Sequence, residues 1–559
     1  MDLHHVAGRD PFSAHVRGKR LERCRADLGN CQYGHLSISD ICYRWGFNDP
    51  AHFSHAFRQN FGLSPRQYRE QTGRAAQQNL EATAHRGRPS SHAGAAVQAP
   101  GESPATAPSA VVHASRTSEG VRHHHLCANQ HTVHWGYFSR SLAPVLYLEP
   151  GELVTVETLT QHAYDDYERM IQGDSGAQSV FHWTAEQKNV DRRGAGPADA
   201  STFGRGSGEG FGVHICTGPI HVQGAEPGDI LELRILEVLP RLSANARFAG
   251  RAFGSNAATW WGYHYKELLT EPRPREVVTI YEVDWPAHDD ACACARAVYN
   301  YRWVPQRDPA GVVHETMDYP GVPVDRSSIQ ENHQVLRGVT IPVRPHFGVI
   351  AVAPAESGMV DSIPPAYFGG NIDNWRVGKG STVYLRVAVD GALLSIGDPH
   401  ASQGDSELCG TAIECSLTGI FQVLLHKTAD LAGQPFADID YPLLETDSEW
   451  VLHGFSHPQY LREFGEKAAS EIYEKSSLDL AMRDAFRKTR RFLMSSQGLS
   501  EDEAISLMSV AVDFGITQVV DGNVGVHAII RKSLFASRNI SDSRGPRSRA
   551  TNFGGPATE

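Results

Sequence analysis

From His134 onward the chain is cut into short apolar runs by tight-turn residues, and this punctuation limits its fold more than any other feature. Val145-Leu-Tyr-Leu, Glu149-Pro150-Gly151-Glu152 and Val154-Thr-Val-Glu read in turn as strand, turn and strand. The same chemistry recurs at Gly224-Ala-Glu226-Pro227-Gly228-Asp229, just ahead of Ile-Leu-Glu-Leu-Arg-Ile. Gly, Pro and Asp favour turn dihedrals over helix, so runs spaced this way predict a sandwich or barrel-like β architecture. Helices are expected late, at about 478–495 and 500–510, followed by a last hairpin from Thr517 through Asp521-Gly522-Asn523 to His527.

A second constraint is chemical. Val383 to Val389 reads as a strand, Asp390-Gly391 as a hairpin turn and Ala392 to Ile396 as the returning strand. Gly397-Asp398-Pro-His400-Ala-Ser-Gln403-Gly-Asp405-Ser-Glu407 follows, with Glu414 a little further on. Carboxylates and an imidazole at this density have the chemistry of a divalent-metal site or an acid/base pair. On an extended backbone Asp398 and His400 project to one side, as do Asp405 and Glu407, so the two pairs can converge on one ion. A solvated turn would explain the Asp, Ser and Gly. It would not explain His400, Glu407 and Glu414 as well.

This segment resembles the acetamidase/formamidase family, whose pattern runs Gly-Asp-x-His, Gly-Asp-small-Glu and a further Glu. Those positions are Gly397, Asp398 and His400, then Gly404 to Glu407, then Glu414; Ser406 stands where the family usually has Gly. Gly369-Gly370-Asn371-Ile-Asp373 and the stretch Cys216-Thr217-Gly218-Pro219 to Gly228-Asp229 look like two further family motifs, in the family's order. The likeness runs from about Val133 to Phe535. It implies a largely β hydrolase domain that cleaves the C–N bond of small linear carboxamides, formamide or acetamide in kind, to carboxylate and ammonia.

The resemblance also implies a divalent metal ion, zinc or another, that activates the attacking water. Asp398 and His400 would hold it with Asp373 or Glu414. Glu407 is the expected base that collects the water proton and returns it to ammonia, with Asp405 beside it in the catalytic group. Thr217 and Asn371 are expected to position the amide. His214 could be a further ligand, but a lone histidine before a strand is more often structural.

The N-terminal segment is of a different kind. Leu36, Ile38, Ile41, Cys42 and Trp45 have helical spacing, Gly46-Phe47 ends that helix, and Asn48 or Asp49 caps the next. Phe53, Phe57 and Phe61 form its buried stripe, Gly62 closes it, and Ser64-Pro65 opens a third helix. The run from Gly46-Phe47 to Tyr68-Arg69 resembles the DNA-binding domain of AraC/XylS-type regulators, covering only its second helix-turn-helix and the helix before it. In such a domain His52, His55, Arg58 and Gln59 would be the outward residues available to DNA. A single module makes few phosphate contacts, so its binding should be weak.

The expected organisation is therefore a small all-α segment over 1–71, a disordered Ala/Ser/Pro/Gly linker over 72–120, a mainly β hydrolase domain with C-terminal α/β additions over 121–537, and a flexible tail over 538–559. A net charge of −12 disfavours a chain built wholly around nucleic acid, although residues 1–75 carry eleven Arg/Lys against seven Asp/Glu. Nine scattered cysteines without a secretion signal suit a reducing cytoplasm. No apolar run reaches membrane-spanning length. The expected partners are a small amide, weakly bound DNA and further copies of the chain in a homo-oligomer.

Two look-alike motifs are set aside. Gly206-Ser-Gly208-Glu-Gly210 imitates a nucleotide loop without a following helix, and Cys292-Ala-Cys294 lacks a second pair at zinc spacing. Two function classes remain open: an amide hydrolase with a vestigial DNA-binding segment, and a transcriptional regulator whose hydrolase-like domain senses an amide.

Overall fold

In the computed structural model the described residues are part of 21–71 together with 112–536, less 117–119, 182–212, 266–267, 272–274, 286–292, 309–310, 312 and 318–320. The chain divides into two compact units, Met1–Ala107 and Pro108–Glu559.

In the first unit the aromatic stripe forms the core. The helix Pro50–Phe61 buries Phe53 and Phe57 completely, against Leu21, Cys24, Leu28, Ile41, Cys42 and Phe47. Ring centroids of Phe53 and Phe57 lie 5.6 Å apart, and Tyr68 closes on Phe57 at 5.9 Å. Gly62 ends the helix at φ +76°, a conformation that costs glycine little. Ser64 and Gln67 then form a reciprocal cap, with Ser64 N donating to Gln67 Oε1 at 3.0 Å and Gln67 N to Ser64 Oγ at 3.3 Å. The proposed caps Asn48 and Asp49 lie outside the described residues.

The second unit is built on two large sheets. In spatial order the first contains Val112–Arg116, Arg122–Leu126, Leu153–Glu157, Leu417–His426, Ile230–Pro240, Thr382–Arg386, Leu443–Glu445, Glu449–Phe455, Gly525–Arg531 and Val512–Gln518. The main path of the second contains Ile341–Pro342, Cys294–Arg302, Val277–Asp284, Ala252–Ala258, Ile413–Glu414, Leu394–Ser402, His346–Ala351 and Gly369–Asn371. Ile215–Val222 branches from it, pairing with Leu394–Ser402 and carrying Val133–Trp135 and Leu146–Leu148. One apolar core joins the sheets. Phe421 of the first meets Phe347 of the second with centroids 5.3 Å apart, among Val154, Leu231, Val383, Val349 and Ile396.

The β architecture is as expected, but the strand pairing is not. Leu146–Leu148 and Leu153–Glu157, read as neighbours around one turn, belong to different sheets, and so do Thr382–Arg386 and Leu394–Ser402 around Asp390-Gly391. The Gly224–Asp229 turn likewise passes from Ile215–Val222 in the second sheet to Ile230–Pro240 in the first. The turn residues are correctly placed, with φ of +75°, +56° and +55° at Gly391, Ala392 and Leu393. A tight turn can close a hairpin or arch between two facing sheets, and the buried core between these sheets favours the arch.

The late helices occupy Leu478–Gln497 and Glu501–Ala511, capped by Ser477 and by a Ser500/Glu503 capping box. The last hairpin pairs Val512–Gln518 with Gly525–Arg531 as expected. The short helices Tyr460–Phe464 and Ala468–Lys475 are absent from the sequence reading. A correction falls on the linker's end, because Val112–Arg116 is an edge strand that pairs antiparallel with Arg122–Leu126. The latter's other edge is taken by Leu153–Glu157, and the extra strand satisfies backbone groups that would otherwise face solvent. Residues 72–111, the Gly206–Gly210 look-alike and the tail 538–559 lie outside the described residues. No helix among the described residues is long and apolar enough to cross a membrane, and no disulfide joins the described cysteines.

Candidate active site

Strand register assembles the site. Across four adjacent strands His346 pairs with His400, His400 with Glu414, and Glu414 with Ser255, which makes one row of side chains across the second sheet. Phe347, next to His346, takes the opposite face and joins the inter-sheet core. The strand Leu394–Ser402 is buried along its whole length, so its polar residues have no water to turn to.

Asp398 and His400 meet as their spacing predicts. His400 Nε2 stands 3.1 Å from Asp398 Oδ2 and 3.2 Å from Glu414 Oε1, yet has hydrogen-bond geometry to neither. On the ring's other side Nδ1 lies 3.8 Å from Asp373 Oδ1 and 3.2 Å from both His346 Nε2 and Gln403 Oε1. Asp373, Asp398 and Glu407 hold φ of +51°, +51° and +48°, and Ser406 +88°. Left-handed backbone at non-glycine residues costs about 1–3 kcal/mol each and persists where the surroundings fix it. Opposite Asp398 in the sheet stands Gly348; a Cβ there would collide with Asp398 Oδ2, Asp373 Oδ1 and His400 Cε1.

The last hairpin completes the cluster. Ser406 N donates to Thr517 O at 2.9 Å and Val519 N to Ser406 O at 3.2 Å, docking the Asp405–Glu407 loop on the hairpin that carries Asp521. Burial pushes Glu407 and Asp521 well above the usual carboxylate range, reinforced at Glu407 by the Asp373 charge and at Asp521 by Asp373 and Glu407. Burial and then the Asp398 charge raise Asp373 to about 7. Asp398 goes the other way. Burial opposes its ionisation, but the His400 and His214 charges and the hydrogen bond from Gln161 hold it below the carboxylate range. His400 is depressed by burial and raised well above its ordinary value by Asp398 and Glu414.

Several sequence-chosen residues come together and others do not. Asp373, His400 and Glu407 form one group of convergent donor atoms, and Asp398, His400 and Glu414 a second. Asn371 is buried, with Oδ1 lacking a hydrogen-bond partner. Asp405, by contrast, is exposed to 42% and pairs with Arg376 at 3.2 Å, so it does not converge with Glu407. The irregular backbone at Ser406 and Glu407 breaks the alternation that would have put them on one side. Thr217 Oγ1 donates to the Glu157 carbonyl at 2.7 Å, so its hydroxyl is engaged away from the cluster. His214 lies between Ser362 Oγ, 2.9 Å from Nδ1, and Asp398 Oδ2, 3.8 Å from Nε2, and burial lowers it.

Gln161, His346 and Asp521 escaped sequence reading, and Gln403 stands in the acidic run without a role of its own there. Gln161 Nε2 donates to Asp398 Oδ1 at 2.7 Å and Glu414 Oε2 at 3.2 Å, while Gln403 Nε2 donates to the Asp373 carbonyl at 2.7 Å. The one available signal was the polar run Thr160-Gln161-His162 soon after a strand; Asp521 sits in what reads as a plain hairpin turn.

A divalent cation fits this donor set. Asp398, Glu414, Asp373, Glu407 and Asp521 are all buried, and Asp373 has two oxygens without a hydrogen-bond partner. Buried carboxylates at this density call for positive charge, and one imidazole among oxygen donors suits zinc or a harder divalent ion.

Residues 211–361 and 355–536 match the model of the Acetamidase/Formamidase family. The chain belongs to this family. The formamidase of Methylophilus methylotrophus is 31% identical over 344 residues, 55% of this chain and 74% of that protein. The acetamidase of Mycolicibacterium smegmatis is 30% identical over 227 residues, 36% of this chain and 50% of that protein. A putative formamidase of Schizosaccharomyces pombe is 27% identical over 250 residues, 39% of this chain and 54% of that protein. The chain thus spans about half the length of these last two relatives. Among solved structures, the acetamidase of Bacillus halodurans aligns with a TM-score of 0.46 at 21% identity, over 74% of this chain and 99% of that one. Residues 7–71 match the model of a helix-turn-helix domain.

Proposed function

We propose that the chain hydrolyses small linear carboxamides, formamide or acetamide in kind, to carboxylate and ammonia. The observation that carries this reading is the buried row His346–His400–Glu414 with Asp398 and Asp373 against it. Asp398 and His400, with Asp373 or Glu414, would hold a divalent ion, zinc being the one we favour. When bound, it would supply Lewis-acid polarisation of the carbonyl and lower the pKa of water. Asn371 orients the amide, its open Oδ1 accepting from the substrate N–H. Glu407, buried beside Asp373 and His400, is the carboxylate that collects the proton of the attacking water, a role that requires the positive charge of a bound cation to hold it ionised. Gln161 and Gln403 hold the carboxylates and the Asp373 backbone in place. Asp405 pairs with Arg376 and Thr217 donates to the Glu157 carbonyl, so neither takes the role in the reaction that the sequence suggests.

Ammonia release from formamide, acetamide and longer amides, followed with and without chelator, tests the reading. No release from any of them would refute it. We place the enzyme in the cytoplasm as a homo-oligomer; size-exclusion chromatography with light scattering checks the latter.

A second activity is favoured by the helix-turn-helix match. We infer weak DNA binding through the helix Pro50–Phe61, where His55, Arg58 and Gln59 are exposed; the side chain of His52 lies outside the described residues. Fluorescence anisotropy on a random duplex at two salt concentrations should show affinity falling steeply with salt. Tight, salt-insensitive binding would contradict this, and no binding would leave the segment vestigial.

A further inference from the structure

The row of site residues continues past Glu414 into a hydrogen-bonded relay that the hydrolytic reading leaves unused. Ser255, the register partner of Glu414, donates through Oγ to Asp165 Oδ2 at 2.5 Å. The same carboxylate oxygen accepts from His162 Nδ1 at 3.1 Å. All three side chains are buried, His162 to 1% exposure. Their segment is pinned at both ends. Gln161 bonds Asp398 and Glu414, while Asp166 accepts from Tyr299 OH at 2.8 Å and from Arg169 Nη1 at 2.7 Å.

This arrangement fixes the imidazole. With Nδ1–H donating to Asp165, Nε2 is the nitrogen left to exchange a proton, and it has no hydrogen-bond partner among the described residues. An oriented histidine with one nitrogen on a buried carboxylate and the other open is the arrangement of a proton-transfer group. Burial alone would depress the ring. The hydrogen bond and charge of Asp165, with the charges of Glu414 and Asp398, outweigh burial and raise it above its ordinary value.

We propose that His162 is a second proton-transfer residue of the site, giving its Nε2 proton to the leaving nitrogen, with Asp165 and Ser255 as its positioning residues. This rests on the amide-hydrolase reading. The water oxygen forms a bond to the carbonyl carbon and its proton goes to Glu407. The C–N bond then breaks, its electron pair staying on nitrogen, which takes the proton from His162 and departs as ammonia. The proton on Glu407 passes through solvent to restore His162, so amide and water give carboxylic acid and ammonia.

The test uses the full chain with its metal as purified and an acetyl series of rising leaving-group acidity: acetamide, p-nitroacetanilide and p-nitrophenyl acetate. His162→Asn keeps a donor near Asp165 and removes Nε2. It should lose about 10²–10⁴-fold in kcat on acetamide and progressively less along the series, because p-nitrophenolate leaves without a proton. Metal content should match the wild type. Glu407→Gln should lose activity across the whole series. If His162→Asn does not fold, Asp165→Asn should show a smaller loss with the same dependence on the leaving group. Equal losses on all three substrates would overturn the proposal alone. Wild-type protein that releases no ammonia from any amide would overturn the hydrolase reading and the proposal with it.

Discussion

Gln161 Nε2 donates to Asp398 Oδ1 at 2.7 Å, from a residue 237 positions earlier in the chain, and the same amide reaches Glu414 Oε2 at 3.2 Å. One NH₂ group thereby orients two carboxylates that face the same His400 nitrogen. Outer partners of this kind are worth about 10–100-fold in metal affinity. Gln161→Ala should lower divalent-metal affinity by roughly that factor with the fold retained, as read by competition with a chromogenic chelator and by circular dichroism.

Gly348 is where backbone space decides the site. Any Cβ at 348 meets Asp398, Asp373 and His400 at once, and the strand is buried and paired on both sides. Gly348→Ala should give a folded protein with little bound metal and ammonia release near background. Metal stoichiometry by atomic emission checks this, and wild-type metal content would contradict it.

Ligands and base should fail differently. Chelation should abolish turnover and a restored divalent ion recover it. Asp398→Asn and His400→Ala should lose metal, whereas Glu407→Gln should keep metal and lose kcat. Full activity in metal-free protein would refute the metal-dependent reading.

His453 gives the fold a built-in acid sensitivity. Asn374 Nδ2 donates to its Nε2 at 3.0 Å and its Nδ1 donates to the Pro442 carbonyl at 3.0 Å, a pattern only the neutral ring satisfies. Burial depresses its pKa to about 3, with the charges of His527, Lys488 and Arg376 adding to the shift. The folded pKa lies below the unfolded one, so the unfolded chain takes up the proton first. The stabilisation is complete above about pH 6.5 and drains away as pH falls towards 3, at about 1.4 kcal/mol per unit. Urea unfolding from pH 7 to 4 should show a flatter acid limb for His453→Gln than for wild type. Parallel curves would contradict the assignment.

The two compact units should separate without loss of hydrolysis. A fragment starting at Pro108 should fold and keep all amidase activity, while one starting at Val121 lacks the edge strand Val112–Arg116 and should be less stable or aggregate. Thermal melts of the two fragments against the full chain decide this.

The sequence by itself determined the classes of structure and the chemistry. Turn residues at regular spacing specify short strands, the Phe53–Phe57–Phe61 stripe specifies an amphipathic helix, and the late helices carry their own Ser caps, because each of these signals is local. Asp398, His400 and Glu414 were legible because they lie close together in sequence. Which strands pair was decided only by the tertiary structure, since a turn at Asp390-Gly391 suits a hairpin and an inter-sheet arch equally until a buried core is present to separate them. The same holds for the side chains drawn in from afar. Gln161, His346 and Asp521 reach the cluster through sheet register and hairpin docking, which no local pattern encodes. Asp405 and Glu407, two positions apart, were parted by left-handed backbone at Ser406 and Glu407 that only the surrounding contacts could hold in place.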